Sequence, residues 1–208
     1  MLKECCDDEL VFVKVAFVDK NFEILNLPEN VLAKQVERKD LGIAMKSIWE
    51  KVFPNRVDLK IDEVLPDREK ARKEILNNFN EKIFKIDIIF TEKLSGNPIG
   101  WIMGEQHDYE TFYLRNSGFI PEFRRKKLYT ISHSAIVKHL KGLGFERIVS
   151  DHLPNNKPML LFKIKDGYII NNMTLDDRFG PMVRLVKFIY DDRQKFFEKR
   201  FRLPDFDL

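Results

Sequence analysis

A run of four consecutive cations, RRKK at residues 124–127, lies directly before a segment with the apolar spacing of an amphipathic helix. Aligned peptide dipoles make the N-terminus of a helix partly positive, so Arg and Lys are unfavourable there by about 0.3–1 kcal/mol each. No Asp or Glu occurs between Phe123 and Phe145 to compensate. Free N–H groups at a helix start bind phosphate, and neighbouring Arg and Lys add charge-assisted hydrogen bonds. The run therefore predicts a site for an anion such as a pyrophosphate; the alternative is a solvated turn.

The elements around this run predict an α/β fold with a mixed sheet. Segments 83–92, 98–106 and 111–120 are rich in β-branched and aromatic residues and are separated by short turns, which favours an antiparallel meander. A helical pattern at 128–141 and a strand at 147–152 follow, and together with strand 111–120 they form a β-α-β unit with two parallel strands. The cations then lie at the carboxyl end of a strand, where α/β folds commonly hold ligands.

Further elements flank this unit, and no internal repeat or Gly/Ser linker divides the chain, so a single domain over residues 1–208 is predicted. An N-terminal strand hairpin (about 10–27) and a C-terminal helix (about 191–201) are predicted as additions to it. The remaining predicted elements are a strand from Val31, a helix capped by Asp40 that ends near Pro54, a helix after Pro66, a short helix opened by Asn156, and strands within 168–175 and 182–189.

Composition excludes several classes of protein. The formal charge of +3 is too small to define a nucleic-acid-binding protein by itself. Cys5 and Cys6 are adjacent, which excludes a disulfide framework or a multi-cysteine metal site, and the four histidines lack metal-ligand spacing, so no metal is predicted. The N-terminus is acidic and no apolar run approaches the ~18 residues that span a bilayer, so we expect a cytoplasmic protein without a membrane partner.

Two motifs in register resemble the GNAT superfamily of acyl-CoA-dependent N-acyltransferases: PEFRRKKLY from Pro121, and NKPMLLFKIKDGY from Asn156. In that family a strand ending in Pro-Glu-Tyr leads into Arg/Gln-x-x-Gly-x-Gly/Ala, whose amides hold the coenzyme A pyrophosphate, and Asn-x-x-Ala-x-x-Leu-Tyr-x-Lys-x-Gly-Phe comes later. Residues 121–124 match the first motif, and Asn156, Lys165, Gly167 and Tyr168 match the second. The resemblance covers about residues 84–188. It implies a GNAT-like fold: a mixed, largely antiparallel sheet with a parallel splayed strand pair and helices on both faces.

The resemblance also implies an activity, in which acetyl-CoA or another acyl-CoA is the co-substrate and a primary amine attacks its thioester in a ternary complex. The implied coenzyme contacts are Phe119 and Ile120 at the strand end, the loop residues Arg124, Arg125, Lys126, Lys127, Leu128, Tyr129 and Thr130, and Asn156. Glu105, Glu110 or a water held by one of them is the candidate proton acceptor. The sequence does not identify the amine, and a homodimer is one option for the oligomeric state.

Three departures from the family pattern bear on function. Lys127 and Tyr129 replace Gly and Gly/Ala, and Tyr129 either stacks beside the coenzyme or obstructs it. Lys163 stands where the family often has a tyrosine that protonates the departing thiolate, and a lysine that points inward can serve as that acid. Two alternatives follow: a catalytically impaired CoA-binding or regulatory module of the same fold, and a nucleic-acid-binding protein that uses the basic helix 124–141.

Overall fold

One mixed sheet organises the protein. The computed structural model describes residues 22–54, 65–80 and 82–201. The described strands are β1 (Val31–Gln35), β2 (Lys85–Glu92), β3 (Pro98–Gln106), β4 (Thr111–Phe119), β5 (Arg147–His152), β6 (Ile169–Asp176) and β7 (Gly180–Phe188). They lie in the order β1-β2-β3-β4-β5-β7-β6, and every neighbouring pair is antiparallel except β4 and β5. The predicted fold class, a largely antiparallel mixed sheet with one parallel pair, is confirmed.

The helices begin and end close to the residues that the sequence predicts. They are α1 (Arg38–Val52), α2 (Asp67–Asn80), α3 (Leu128–Gly142), α4 (Lys157–Lys165) and α5 (Asp191–Phe201), with one 3-10 turn at Pro121–Phe123. Helix α1 begins two residues before its predicted cap, because Glu37 takes the N-cap position and Asp40 lies within the first turn. Residues 10–21 of the predicted N-terminal hairpin lie outside the described residues, and residues 22–27 form no strand.

The parallel pair opens soon after it forms. Strands β4 and β5 pair only at Thr111–Arg147, Phe112–Ile148 and Tyr113–Val149. Beyond Tyr113 the two strands diverge, and an irregularity in the β3–β4 register follows between Met103 and Gly104. The edge of β4 that faces β5 therefore lacks a strand partner from residue 114 onward. We call this opening the splay.

Each face of the sheet is covered by different helices. On one face Ile136 and Leu140 of α3 share a core cluster with Ile88 and Ile148, all fully buried or nearly so. On the other face α1 packs on Trp101 and Met103 of β3. Gly118 permits this approach, since a Cβ there would lie 2.4 Å from Val52 Cγ1. The end of α1 is thereby held against the end of β4, beside the cationic loop.

Candidate functional site

The loop between β4 and α3 presents a row of unused backbone donors. Arg125 and Lys127 both have φ of 61°, in the left-handed region that non-glycine residues rarely adopt. The first backbone hydrogen bond of α3 runs from Ile131 N–H to Lys127 O, at 2.9 Å, and no N–H of residues 125–130 donates to a described residue. Left-handed residues in a tight turn favour a concave row of successive N–H groups, and such a row binds anions. The amides of the predicted pyrophosphate site are therefore not tied up internally among the described residues.

The four cations of the loop differ in their contacts. Arg124 turns away from the amides: its Nε donates to Phe119 O at 2.9 Å and its Nη2 to Val52 O at 2.8 Å. The guanidinium thus ties the end of β4 to the C-terminus of α1, where a cation is favourable. Lys126 places Nζ 4.5 Å from the ring centre of Phe123. Arg125 and Lys127 are exposed and make no ion pair with a described residue, so they are the cations free to meet an anion.

A groove of about 1090 Å³ lies at the splay beside this loop. Its walls come from both diverging strands, from α1 and from the turn between β6 and β7. The lining residues include Tyr113 and residues 114–117 of β4, Ser150, Asp151 and His152 of β5, Trp49 of α1 with Phe53 just after it, and residues 176–179 at the end of β6 and in the turn. Ligand sites commonly have volumes of ~300–1,000 Å³, so this groove has room for a large cofactor arm together with part of a second substrate.

Tyr129 forms part of the groove wall. Its ring lies edge-on to Phe162 of α4 at 5.1 Å between centroids and 5.7 Å from the His133 ring, and its phenol hydrogen-bonds with Ser117 of β4. Burial raises the pKa of Tyr129 well above its usual value, so the phenol stays protonated. The side chain bridges α3, α4 and β4 across the inner end of the groove, and its contacts are with these elements. The structure places Tyr129 in the wall of the groove, and whether it stacks beside a bound coenzyme or obstructs it stays a question for binding experiments.

Lys163 points inward and is completely buried, at 0% exposure. Its Nζ lies 3.4 Å from His133 Nε2 and 4.1 Å from the ring centre of Tyr168, whose hydroxyl is 2.8 Å from the same His133 nitrogen. Burial lowers the pKa of Lys163 to about 7, with Asp166 opposing the shift, and burial likewise holds the pKa of His133 well below its usual value. Lys163 does not line the groove itself; it lies behind Tyr129, with Nζ 5.7 Å from that ring centre.

The two glutamates predicted as proton acceptors are both held by arginines. Glu105 pairs with Arg115 and with Arg38, the latter at 3.4 Å. Glu110 is buried and pairs with Arg147 and, at 3.4 Å, with Arg193. Neither glutamate lines the groove, although Arg115 does. The structure therefore does not bring these two side chains together with the loop.

Asp151 is the groove carboxylate nearest in sequence to the end of the parallel pairing. Arg184 donates to its two oxygens at 2.9 and 2.8 Å, and Tyr113 hydrogen-bonds to it as well. Burial by itself would raise the pKa of Asp151, but the hydrogen bonds and charge of Arg184 outweigh it and lower that pKa. Sequence reasoning missed this residue. The only available signal was its position late in a strand that follows a parallel partner.

His152 is a second groove residue that sequence reasoning missed. Its Nε2 lies 2.9 Å from Ser150 Oγ, and burial lowers the pKa of His152 to about 4, with the charge of Lys163 acting in the same direction. The imidazole is therefore neutral at ordinary pH. The sequence pattern had favoured an isolated surface or core histidine, because no metal-ligand spacing involves it.

The remaining predicted coenzyme contacts occupy several environments. Phe119 is nearly buried and packs on Phe90 with centroids 5.0 Å apart, and Ile120 N–H already donates to Ile99 O at 2.9 Å. The Leu128 side chain is in the core, so only its amide can meet a ligand, whereas Thr130 is exposed on the first turn of α3. Asn156 lines the groove, and its side chain makes no capping hydrogen bond to α4.

Comparison with known proteins places the architecture. No family model matches the chain, and no curated protein matches it in sequence. The ribosomal-protein-S18-alanine N-acetyltransferase of Escherichia coli superposes with a TM-score of 0.56 at 12% identity, over 86% of this chain and 98% of that one. A spermidine N-acetyltransferase from Vibrio cholerae gives 0.52 at 14% identity, over 78% and 95%. A GNAT-family acetyltransferase from Streptococcus pneumoniae gives 0.52 at 14%, over 76% and 99%.

These likenesses show the fold: the chain has the architecture of the GNAT superfamily, as its two motifs indicate. None of the described helices combines the length and apolar character needed to cross a membrane.

Proposed function

We propose that this protein, which has the GNAT fold, transfers an acetyl or other short acyl group from acyl-CoA to a primary amine. The observation that carries the proposal is the row of unbonded N–H groups at residues 125–130, next to a groove that opens where β4 and β5 part. A diphosphate seated on these amides would leave the flexible arm of the coenzyme free to enter the groove. The solved acetyltransferases that share the fold support this assignment.

The loop holds the pyrophosphate through its backbone and two of its cations. Lys127 adopts the left-handed conformation that glycine would take at the matching family position, and such a conformation favours a concave row of N–H groups. The ammonium of Lys127 and the guanidinium of Arg125 then supply counter-charge that glycine could not. Arg124 acts indirectly, by fixing the loop to the ends of β4 and α1.

The coenzyme arm runs along the open edge of β4. From residue 114 onward this edge has no strand partner, so its backbone donors and acceptors can pair with the amide groups of the arm. The side chain of Asn156 faces the same groove from the start of α4. In this arrangement the thioester lies within the groove between the diverging ends of β4 and β5.

The chemistry is a direct acyl transfer. A neutral amine attacks the thioester carbon, the C–S bond breaks, and the departing thiolate takes up a proton. Lys163 is the proposed source of this proton, because burial makes it a stronger acid than an ordinary lysine. Since its ammonium lies behind Tyr129 and not in the groove lining, the proton reaches the thiolate through a water. Asp151, which stays ionised, attracts the acceptor's ammonium to the groove, and groove water takes the proton that the amine must lose. Asp151 is favoured over Glu105 and Glu110 in this role because it lines the groove and neither glutamate does.

The fold does not specify the amine. By their names, the Escherichia coli neighbour acetylates the alanine of a ribosomal protein and the Vibrio cholerae neighbour acetylates spermidine, with similar structural likeness to this chain. The groove walls that would meet the acceptor come from α1 and the β6–β7 turn.

The two alternatives from sequence make different predictions about binding and turnover. A CoA-binding module without catalysis would bind acetyl-CoA and release no thiol with any amine. A nucleic-acid-binding role for residues 124–141 has no support from the solved structures that share the fold, which are named as acetyltransferases. Calorimetry with acetyl-CoA, followed by a thiol-release assay across an amine panel, tests the proposal. No heat and no thermal shift at about millimolar acetyl-CoA, a concentration that detects even a weak Kd, would overturn it.

A further inference from the structure

A second cavity, of about 400 Å³, lies between α5 and the face of the sheet formed by β5 and β7. Its floor is apolar, with Val149 and Val186 of the sheet, and Phe197 of α5 lies against Phe188 with ring centroids 5.1 Å apart. Phe196 lines the cavity from the same helix and is 65% exposed. None of the loop residues 124–130 and none of the amides proposed to hold acyl-CoA belongs to this cavity.

The charges that line the cavity are strongly unbalanced. Four guanidinium groups, those of Arg147, Arg184, Arg193 and Arg200, and the imidazole of His107 face it, against a single lining carboxylate, Asp108. One oxygen of Asp108 accepts N–H groups from Glu110 and Thr111 at 2.9 and 2.7 Å, and these hydrogen bonds outweigh burial and lower its pKa.

Three of the arginines also have structural partners outside the cavity lining. Arg147 pairs with Glu110, Arg193 with Glu146 at 3.0 Å, and Arg184 with Asp151. A guanidinium carries five N–H donors, and the Nη1 groups of Arg147 and Arg184 donate to no described residue. The pair of Arg193 with Glu146 ties α5 to the start of β5, and the other two pairs join strands or strand ends. These pairs do not explain Arg200, which makes no ion pair with a described residue, or the exposed ring of Phe196 beside it.

We propose that this cavity, the α5 pocket, binds a small organic anion: a phosphate or carboxylate carried on a flat apolar group. Arg200 and the unused guanidinium donors contact the anion, and the phenylalanines of α5 contact the apolar group. The volume suits a ligand of this size. Arg184 lines both the α5 pocket and the groove at the splay, so an anion that engages it lies one side chain away from Asp151.

The experiment uses the full chain and phenyl phosphate as the probe, with benzylamine as a cationic compound of similar shape. Binding is followed by calorimetry and by saturation-transfer NMR in saturating coenzyme A, which fills any phosphate site at the loop. We expect phenyl phosphate to bind and benzylamine not to bind. Arg200→Gln should weaken binding about tenfold, because it removes a charge-assisted hydrogen bond. Lys199→Gln, which removes the same charge from the neighbouring residue outside the pocket, should change the affinity less than twofold.

Phe196→Ala tests the apolar half of the ligand. It should weaken phenyl phosphate more than inorganic phosphate, because only the former has a ring to contact. Both Arg200 and Phe196 are exposed, so these variants should fold as the wild type does. Equal losses in Arg200→Gln and Lys199→Gln would overturn the proposal, since they indicate diffuse surface attraction. The absence of phenyl phosphate binding to the wild type at about 10 mM, or equal binding of benzylamine, would overturn it as well.

Discussion

The Nζ of Lys163 lies 3.4 Å from His133 Nε2 in a completely buried site, and it makes no ion pair with a described carboxylate. An amine in such surroundings favours its neutral form, which is why the pKa of Lys163 falls to about 7. Burial also holds the pKa of His133 well below its usual value, so this ring is neutral near pH 7, and its Nδ1 lies 3.4 Å from Asp166 Oδ2. Burying these two titratable side chains lowers the free energy of unfolding, and the pH dependence of unfolding measures this loss.

The first prediction concerns stability against pH. The pKa of Lys163 is lower in the folded than in the unfolded chain, so between about pH 7 and the ordinary lysine value the unfolded chain binds the extra proton. Stability should therefore rise with pH from 7 to 9, by up to about 1.4 kcal/mol per pH unit. Lys163→Met should abolish this slope and stabilise the protein at pH 6 by about 1–3 kcal/mol, since it removes a buried charge.

Urea unfolding at several pH values measures this effect. Lys138→Met on the exposed side of α3 is the control and should leave the slope unchanged. A slope that survives in Lys163→Met would show that another group titrates. Lys163 is also the proposed proton donor. Thiol release in the wild type should therefore decline as pH rises above about 7, because the lysine is then deprotonated.

The second prediction concerns Lys127, whose φ of 61° suits glycine. A left-handed residue with a Cβ costs about 1–2 kcal/mol, and glycine loses about 0.5–1 kcal/mol through its greater freedom in the unfolded chain. Lys127→Gly should therefore raise the free energy of unfolding by roughly 0.5–1 kcal/mol, the difference between these effects. Lys126→Gly is the matched control, because Lys126 lacks a positive φ. This variant should be less stable than the wild type. Denaturant unfolding decides, and equal destabilisation of both variants would refute the backbone account.

The third prediction separates the structural cation from the exposed ones. Arg124→Ala leaves the carbonyls of Phe119 and Val52 without their donors and should destabilise the protein by about 1–3 kcal/mol. It should also weaken acetyl-CoA binding more than Lys138→Ala does, because the loop loses its attachment. Calorimetry and thermal unfolding on the same samples measure both effects. An Arg124→Ala protein of wild-type stability would contradict the geometry, and equal losses of affinity in the two variants would indicate diffuse charge attraction.

The fourth prediction concerns the bridge between Tyr129 and Ser117. Tyr129→Phe and Ser117→Ala each remove the same hydrogen bond, so each should cost about 0.5–1.5 kcal/mol of stability. The double variant should cost little more than either single one, because the bond can be lost only once. Urea unfolding of the four proteins completes the cycle. Additive losses would mean that the two side chains do not interact.

Much of the fold could be predicted because the relevant signals are local. Alternation along β2, β3 and β4 and helical spacing along α3 depend on residues a few positions apart, and a β-α-β connection then requires β4 and β5 to be parallel. The cationic loop could be located in the same way, as could the two motifs that indicate the GNAT fold.

The site was predictable only in part. The sequence indicates which backbone amides start α3 and places Arg124 among the implied coenzyme contacts, but it does not show that Arg124 bonds to α1. Its hydrogen bond to Val52 joins residues that are 72 positions apart, so no local pattern could reveal it. Likewise, Glu105 and Glu110 lie near strand ends, so the sequence allows either of them to face a groove. Only the structure shows that both are paired with arginines.

By itself, then, the sequence determined the order of the elements, the parallel pair and the position of the cationic loop, because backbone hydrogen bonding and side-chain periodicity act over short distances along the chain. Only the tertiary structure decided that Lys163 is buried beside His133, that Asp151 rather than a glutamate faces the groove, and that α5 encloses a pocket with Arg200. Burial and ion pairing depend on which distant segments meet, and that is settled when the sheet and its helices pack together.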